Sequence, residues 1–409
     1  MKKITSFVIS IILIFITFLT IILSTIGIET DKFNKLILKK INQANNNISL
    51  KINTIKFKLD IKEISLFLET SKPKINYRDT FIPAKNIRVY IDFISLLKSD
   101  AKIKKINLDL EEININELNK LSNIIKPSNF KNLINNKVKE GKLTLELDIY
   151  LDEKNLFDNF IARGTVSNLK IKIINDINLE KANFTFFADK TDVLIKNFFG
   201  NTGPINIVNG DLKIKLSQGM SLDSNFKTIV KYNNDFKNYK HLIKNLQFAK
   251  HLKIFDADLS NSFSLKFDKT YKVKKYNFKS NGKVAKANLY FKNPSKFYFL
   301  QDDIKQLSFQ NSEIKIDLNS IKNSAFISGK YALNKGNFLP FNLDNTIKND
   351  LLEFKLDTEY EEFLNFELIN YKKPKDKIAN ISINFDKVKN NINIKELNFV
   401  EGNNVCLLY

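Results

Sequence analysis

Residues 143–151 read LTLELDIYL. Leu143, Leu145, Leu147, Ile149 and Leu151 alternate with Thr144, Glu146, Asp148 and Tyr150. Successive side chains of a strand point to opposite faces, so this stretch is a half-buried strand, apolar on one face and wet on the other. The rhythm spreads outward from it. Upstream, Ile55, Phe57, Leu59 and Ile61 alternate with Lys56, Lys58, Asp60 and Lys62, and Ile87, Val89, Ile91 and Phe93 with Arg88, Tyr90 and Asp92. Downstream it recurs at Leu169-Ile171-Ile173, Phe184-Phe186, Leu212-Ile214-Leu216, Phe263-Leu265-Phe267, Ile314-Ile316-Leu318, Ile381-Ile383-Phe385 and Ile392-Ile394. Long apolar runs of the kind a buried parallel sheet needs are absent beyond residue 28. The expected fold is all-β, mainly antiparallel, with few helices.

Two stretches break the period. Leu118, Leu121, Ile124 and Ile125 stand at helical spacing before Pro127, so residues 116–138 read as a helix, a break and a second short helix. Leu242, Ile243, Leu246 and Phe248 suggest another helix over 235–252. Gly and Pro are scarce, with 11 and 7 residues, so the turns fall mainly to Asn and Asp. No repeat of fixed length is present.

The chain opens differently. After Lys2 and Lys3, the run from Ile4 to Ile28 carries no charge. At about 1.5 Å per residue it spans a bilayer core of roughly 30 Å. A cleaved signal peptide would have an apolar region of only about 7–15 residues and a small-x-small site, so the run reads as an uncleaved anchor. Lysines on its short side keep the N-terminus cytoplasmic and export the rest. Thr30-Asp31, then Phe33, Leu36, Ile37, Lys40 and Ile41, give a short amphipathic helix after it. The expected organisation is an anchor over 1–28, an amphipathic juxtamembrane helix and linker over 29–47, and an exported β domain over 48–409.

The net charge of +21 comes almost wholly from lysine, since Arg78, Arg88 and Arg163 are the only arginines. Arginine supplies the bidentate contacts to phosphate and guanine, so specific nucleic-acid recognition is not expected. A/T-rich codons account for the abundance of Lys, Asn, Ile and Phe. Lysines near anionic headgroups would each add about 1 kcal/mol of membrane attraction. Cys406 is the single cysteine and cannot form an internal disulfide. His241 and His251, ten residues apart, offer no metal spacing. Among the acidic pairs, only Asp256 and Asp258 share a strand face, and no histidine or second acidic cluster stands near them. No phosphate loop, nucleophile elbow, HExxH or CxxC occurs. No catalytic residue, metal or cofactor is assigned, and the expectation is a non-enzyme.

Residues 85–110 read KNIRVYIDFISLLKSDAKIKKINLDL. A strand ending in Asp92-Phe93, a Ser95-Leu96-Leu97 turn and a strand opening Ile103-Lys104-Lys105-Ile106-Asn107-Leu108 resemble the N-terminal signature of the AsmA-like family of bridge-like lipid transfer proteins. The likeness covers Ile48 to Leu110, preceded by the same order of anchor, short helix and strands. The glycines usual near the strand turns are largely missing. The resemblance implies an inner-membrane anchor and an elongated antiparallel sheet curled into a U-shaped groove that carries phospholipid across the periplasm. Strands apolar on one face need a cover: a second sheet, a sheet curled on itself, or acyl chains. A β-sandwich is therefore the alternative fold. About twenty strands at about 4.8 Å each would give a trough about 100 Å long. The chain stops at Val405–Tyr409 without a polar tail, as expected of a short family member, a fragment or one part of an assembly.

The expected function is phospholipid binding or conduction in support of outer-membrane lipid homeostasis. The groove-lining residues would be Ile87, Val89, Ile91, Leu143, Leu145, Leu147 and Ile149. The alternative is a structural or assembly factor that docks an outer-membrane or periplasmic protein by strand addition.

Overall fold

The structure, a computed structural model, describes the chain apart from residues 1, 32–33, 35–47, 53, 64, 78–79, 93–101, 123–135, 153, 155, 175–176, 217–218, 234–250, 269–271, 296–299, 301, 368–369, 376 and 409. The N-terminal run is helix α1 (Lys2–Thr25). It is long and apolar enough to cross a bilayer, and none of Phe7–Thr25 is buried against the rest of the chain. Its hydroxyls are satisfied inside the helix. Thr17 donates to the Leu13 carbonyl at 2.8 Å, Thr20 to Ile16 at 2.8 Å and Thr25 to Ile21 at 2.6 Å. Polar side chains become tolerable in hydrocarbon in this way.

The amides of Ile26 and Gly27 both donate to the Ile22 carbonyl, and Gly27 turns the chain at a φ of 75°. A Cβ at Gly27 would lie 3.0 Å from the Phe57 carbonyl oxygen, which leaves room for glycine alone. The next residue already belongs to β1 (Ile28–Thr30), which pairs antiparallel with β3 (Ile55–Asp60). Helix and sheet are thus joined without a spacer. Thr30, expected to open a helix, lies in this strand, because pairing with Ile55 satisfies its backbone. Of the amphipathic helix expected from Phe33 to Ile41, only Asn34 is among the described residues, and its amide donates to the Asp31 carbonyl.

The chain divides into two compact units, one of residues 1–171 and 183–193, the other of residues 172–182 and 194–409. The first unit continues with β2 (Ile48–Lys51), β4 (Ser65–Ser71), β5 (Lys74–Tyr77), β6 (Thr80–Ile91), β7 (Ile103–Leu110), β8 (Ile113–Asn114), helix α2 (Ile115–Ser122) and β9 (Val138–Leu151). Strands β10 (Phe157–Ile174), β11 (Ile177–Ala188) and β12 (Asp192–Thr202) contribute residues to both units. The antiparallel pairings run β1-β3-β4-β6-β7-β9-β10, with β5 between β2 and β6, and β8 beside β9. Helix α2 starts at a capping box: Asn114 Oδ1 accepts from the Glu117 amide, and Glu117 Oε2 from the Asn114 amide. It realises the first part of the helix expected over 116–138. The remainder falls largely outside the described residues, as does nearly all of 235–252.

The second unit holds β13 (Ile205–Lys215), β14 (Ser221–Tyr232), β15 (Leu252–Phe267), β16 (Val273–Ser295), β17 (Ile304–Asn319), β18 (Lys322–Leu333), β19 (Leu339–Lys348) and β20 (Leu351–Tyr360). After them come β21 (Leu364–Phe366), β22 (Tyr371–Lys373), β23 (Ala379–Val388), β24 (Asn391–Glu401) and β25 (Asn404–Leu408). Strands β13 to β20 pair in chain order, followed by β23, β24 and β25, while β21 and β22 form a separate ribbon. The fold is mainly antiparallel β, as expected. Apart from the ribbon, the strands belong to one 23-stranded sheet that does not close, and not to the two sheets of a sandwich.

Asparagine does much of the turning. Asn168, Asn197, Asn311, Asn334, Asn349 and Asn370 take positive φ, as does Asp350. Asn349-Asp350, with φ of 48° and 66°, links β19 to β20 as a two-residue primed turn closed by Lys348 and Leu351. Asn311 sits at a bulge in β17. Asn334 Oδ1 accepts from the Lys305 and Gln306 amides while its Nδ2 donates to the Asp303 carbonyl. Asn fills these positions because it tolerates the left-handed region and its amide bonds neighbouring backbone.

The polar face of the first unit is not simply wet. Lys56, Glu69, Arg88, Asn107 and Asp148 occupy successive register positions across five strands. Glu69 bonds Lys58 at 2.7 Å and Arg88 at 2.9 Å. Asn107 donates to Glu146 and Asp148, which both accept from Arg163. Long cationic side chains lie over the short acidic ones, so Asn107 and Asp148 are only 3% and 4% exposed. Burial would raise the Glu69 carboxyl, but its bonds to Lys58 and Arg88 outweigh this and hold it below its ordinary 4.5. The Arg163 hydrogen bond does the same for Glu146. A lowered carboxylate stabilises fully above its unfolded value, and the gain is lost as pH falls through the folded value. The urea midpoint, followed by circular dichroism, should therefore fall between pH 5 and pH 3, and Glu146→Gln should flatten that dependence.

Candidate functional site

The seven residues expected to line a groove share one face of the first unit. Ile87, Val89 and Ile91 stand on β6, and Leu143, Leu145, Leu147 and Ile149 on β9, with β7 between. The register links Ile87 to Leu108 and Leu147, and Val89 to Ile106 and Ile149. The second of these rows continues on both sides as Ile28, Phe57, Leu68, Val89, Ile106, Ile149 and Phe160. Part of this face is ordinary core. Ile87 and Leu145 pack on buried Ile75, Ala84, Leu110 and Ile113, and Ile91 is itself buried beside Ile55 and Leu68.

A longer apolar strip lies in the second unit. Ile207, Thr228, Leu259, Gly282, Ile314, Ile327, Leu343, Leu356, Ile383 and Leu397 are consecutive register partners across ten strands. The neighbouring row on the same face is mixed: Asn261, Ser280 and Asn345 stand among Phe226, Ile316, Phe354, Phe385 and Ile394, and Phe354 and Phe385 stack at 4.9 Å. At about 4.8 Å per strand, the strip runs for roughly 43 Å. Gly282 keeps it closely packed, since a Cβ there would come within 2.0 Å of the Asp258 carbonyl. All ten residues of the long row are half-buried. Eight of the ten are apolar, Thr228 and Gly282 being the exceptions, and Leu259 and Ile314 pack against buried Ala257, Val284 and Ala287, so part of this face is core as well. The other face is polar: Asp258, Lys283, Glu313, Ser328, Asn342 and Asp357 are successive partners there. Asp256 and Asp258 face Lys286 and Lys283 across β15–β16, so charge pairing on the sheet accounts for them. Among the described residues, no group of three or more His, Cys, Asp or Glu could hold a metal ion.

At the end of the strip formed by β23–β25, the ribbon β21–β22 stands over the apolar face. Leu364 bridges to Leu300, and Phe366 and Tyr371 pack edge-on against Phe399. Beneath the ribbon is a hollow of about 860 Å³ lined by Leu333, Tyr360, Leu364, Ile381, Ile383, Leu397, Phe399 and Cys406, among others. This lies within the range of about 300–1,000 Å³ usual for small-molecule sites. The hollow is partly open to solvent, so a ligand can reach it without unfolding of the unit.

Two polar contacts fix the ribbon. Lys373 is fully buried, and its ammonium donates to the carbonyls of Glu361 at 2.6 Å, Glu362 at 3.0 Å and Pro374 at 2.9 Å. The Tyr371 hydroxyl donates to Glu401 Oε2, which also accepts from Asn404. These bonds and Lys377 hold the Glu401 carboxyl low, while burial and Glu401 push the Tyr371 hydroxyl up to about 12. The sequence reading missed this ribbon. Its only signal is the clustering of Phe363, Leu364, Phe366 and Tyr371 where the two-residue period fails.

Replacing Lys373→Met should leave buried carbonyls without donors, a cost of about 1–3 kcal/mol. Limited proteolysis should then cut within 361–378 well before the rest of the second unit opens. Comparison with family models, with curated proteins and with solved structures finds no match to this chain.

Proposed function

We propose that this protein is an inner-membrane-anchored, periplasmic phospholipid carrier of the AsmA-like type, whose apolar sheet faces hold acyl chains. One observation carries the reading: ten neighbouring strands align a row on one face that is apolar at eight of its ten positions, and every residue of it stays half-buried. Acyl chains would complete that burial at about 25 cal/mol per Å² of apolar surface removed from water. Headgroups would remain in solvent beyond the strip. No bond is made or broken, so no catalytic group is required.

Helix α1 supports the anchor, and its direct passage into β1 supports a sheet held close to the bilayer surface. Lys2 and Lys3 at the start of the helix favour a cytoplasmic N-terminus. The AsmA-like assignment rests on the sequence around residues 85–110, where β6 and β7 form the two signature strands. The intervening turn, 93–101, lies outside the described residues.

Protein extracted in mild detergent should carry phospholipid detectable by mass spectrometry. Leu343→Glu should reduce phospholipid transfer between vesicles tenfold or more, the equivalent of about 1.4 kcal/mol lost from acyl-chain binding. Ile394, on the same face and 45% exposed, gives a second variant, Ile394→Glu, that leaves the fold intact. Unchanged transfer in both variants would contradict the carrier reading.

A further inference from the structure

The hollow under β21–β22 differs from the open strip beside it. Along the strip the row residues are half-buried, and among the described residues β21–β22 is the only paired element outside the large sheet. Here Tyr360, Leu364, Ala379 and Phe399 are buried to 9% exposure or less and border a concavity of about 860 Å³ that is partly open to solvent. The ribbon that roofs the space is fastened by a fully buried lysine with three carbonyl acceptors, so it is built to stand off the sheet. The roof, floor and fastening all belong to the second unit.

We propose that this hollow is a discrete binding site for a single long acyl chain, distinct from the open strip. The proposal rests on the lipid-binding reading and adds a place where one chain is held. The chemistry of the lining selects the class. Ile381, Ile383, Leu397 and Phe399 offer apolar carbon; of the polar lining residues, Tyr371 and Asn404 both donate to Glu401, and Asn403 stands at the rim with Asn404. A methylene group occupies about the volume of a water molecule, ~30 Å³. The space of about 860 Å³ thus takes one long chain with room to spare, while a headgroup stays outside. The chain arrives either on a phospholipid or as a free fatty acid.

Two features make the site testable in the full-length protein. Cys406 lines the hollow and is the only cysteine, and the chain has no tryptophan. Palmitate, or vesicles of phosphatidylethanolamine and phosphatidylglycerol, should slow maleimide labelling of Cys406 about tenfold at ten times the dissociation constant. In the Phe399→Trp variant, the sole tryptophan should be quenched by dibrominated fatty acid or dibrominated phospholipid. Protection or quenching by palmitate alone assigns the free acid, by vesicles alone the phospholipid, and by both the chain itself; each supports the site. Neither protection nor quenching, in a protein that still carries and transfers phospholipid, would overturn the site and leave the carrier reading standing. Absence of lipid from the protein altogether would overturn both.

Discussion

Register is the constraint on which this structure depends. A strand turns its side chains over with every residue, so a slip of one position would send an entire apolar set to the wrong face. In the second unit the pairing keeps Ile207, Leu259, Ile314, Ile327, Leu343, Leu356, Ile383 and Leu397 in line across strands that each have their own length and turns. The long row and the clean charge pattern opposite it, Asp258 with Lys283 and Glu313, are two readings of the same register. Antiparallel pairing between chain neighbours makes that register local, since each hairpin turn sets the next strand.

Bulges are the devices that keep it. In β13 an extra residue between Ile207 and Asn209 changes the phase, so that Gly210 and Leu212 rejoin the face of Ile205 and Ile207. In β17 the shift between Gln310 and Glu313 does the same for Phe309 and Ile314, with Asn311 in the left-handed region. In β24 the shift beside Phe385 brings Ile394 and Leu397 onto one face. An inserted residue at each place preserves the face where strict alternation would have lost it.

This explains what could be read from sequence and what could not. The alternating segments at 55–61, 87–93, 143–151, 314–318 and 381–385 all lie within or overlap strands, since period two is visible wherever no bulge intervenes. The strands themselves are longer, because a bulge breaks the period while the pairing runs on. The same limit hid the strip: residues on ten strands meet through cross-strand register, which no local window contains. Ile87, Val89 and Leu145 were recognisable as face residues, but alternation alone does not tell a face lined by core from one left open. The ribbon was invisible for another reason. Lys373 reads as a surface lysine beside Lys372 and Pro374, and only tertiary packing reveals that three backbone carbonyls surround its ammonium.

The anchor and the sheet obey one rule of hydrogen bonding. Within α1 every described Thr hydroxyl turns back on the helix, and at Gly27 the chain passes straight into paired backbone, so few polar groups are stranded between helix and sheet. The most direct test of the central claim is photo-cross-linking in intact cells from single positions along β19 and β20, with adducts identified by mass spectrometry. The account predicts phospholipid adducts from positions 343, 354 and 356 and none from 344, 355 and 357, a period of two that follows the apolar face. Adducts of equal yield from both sets, or none from the first, would contradict it.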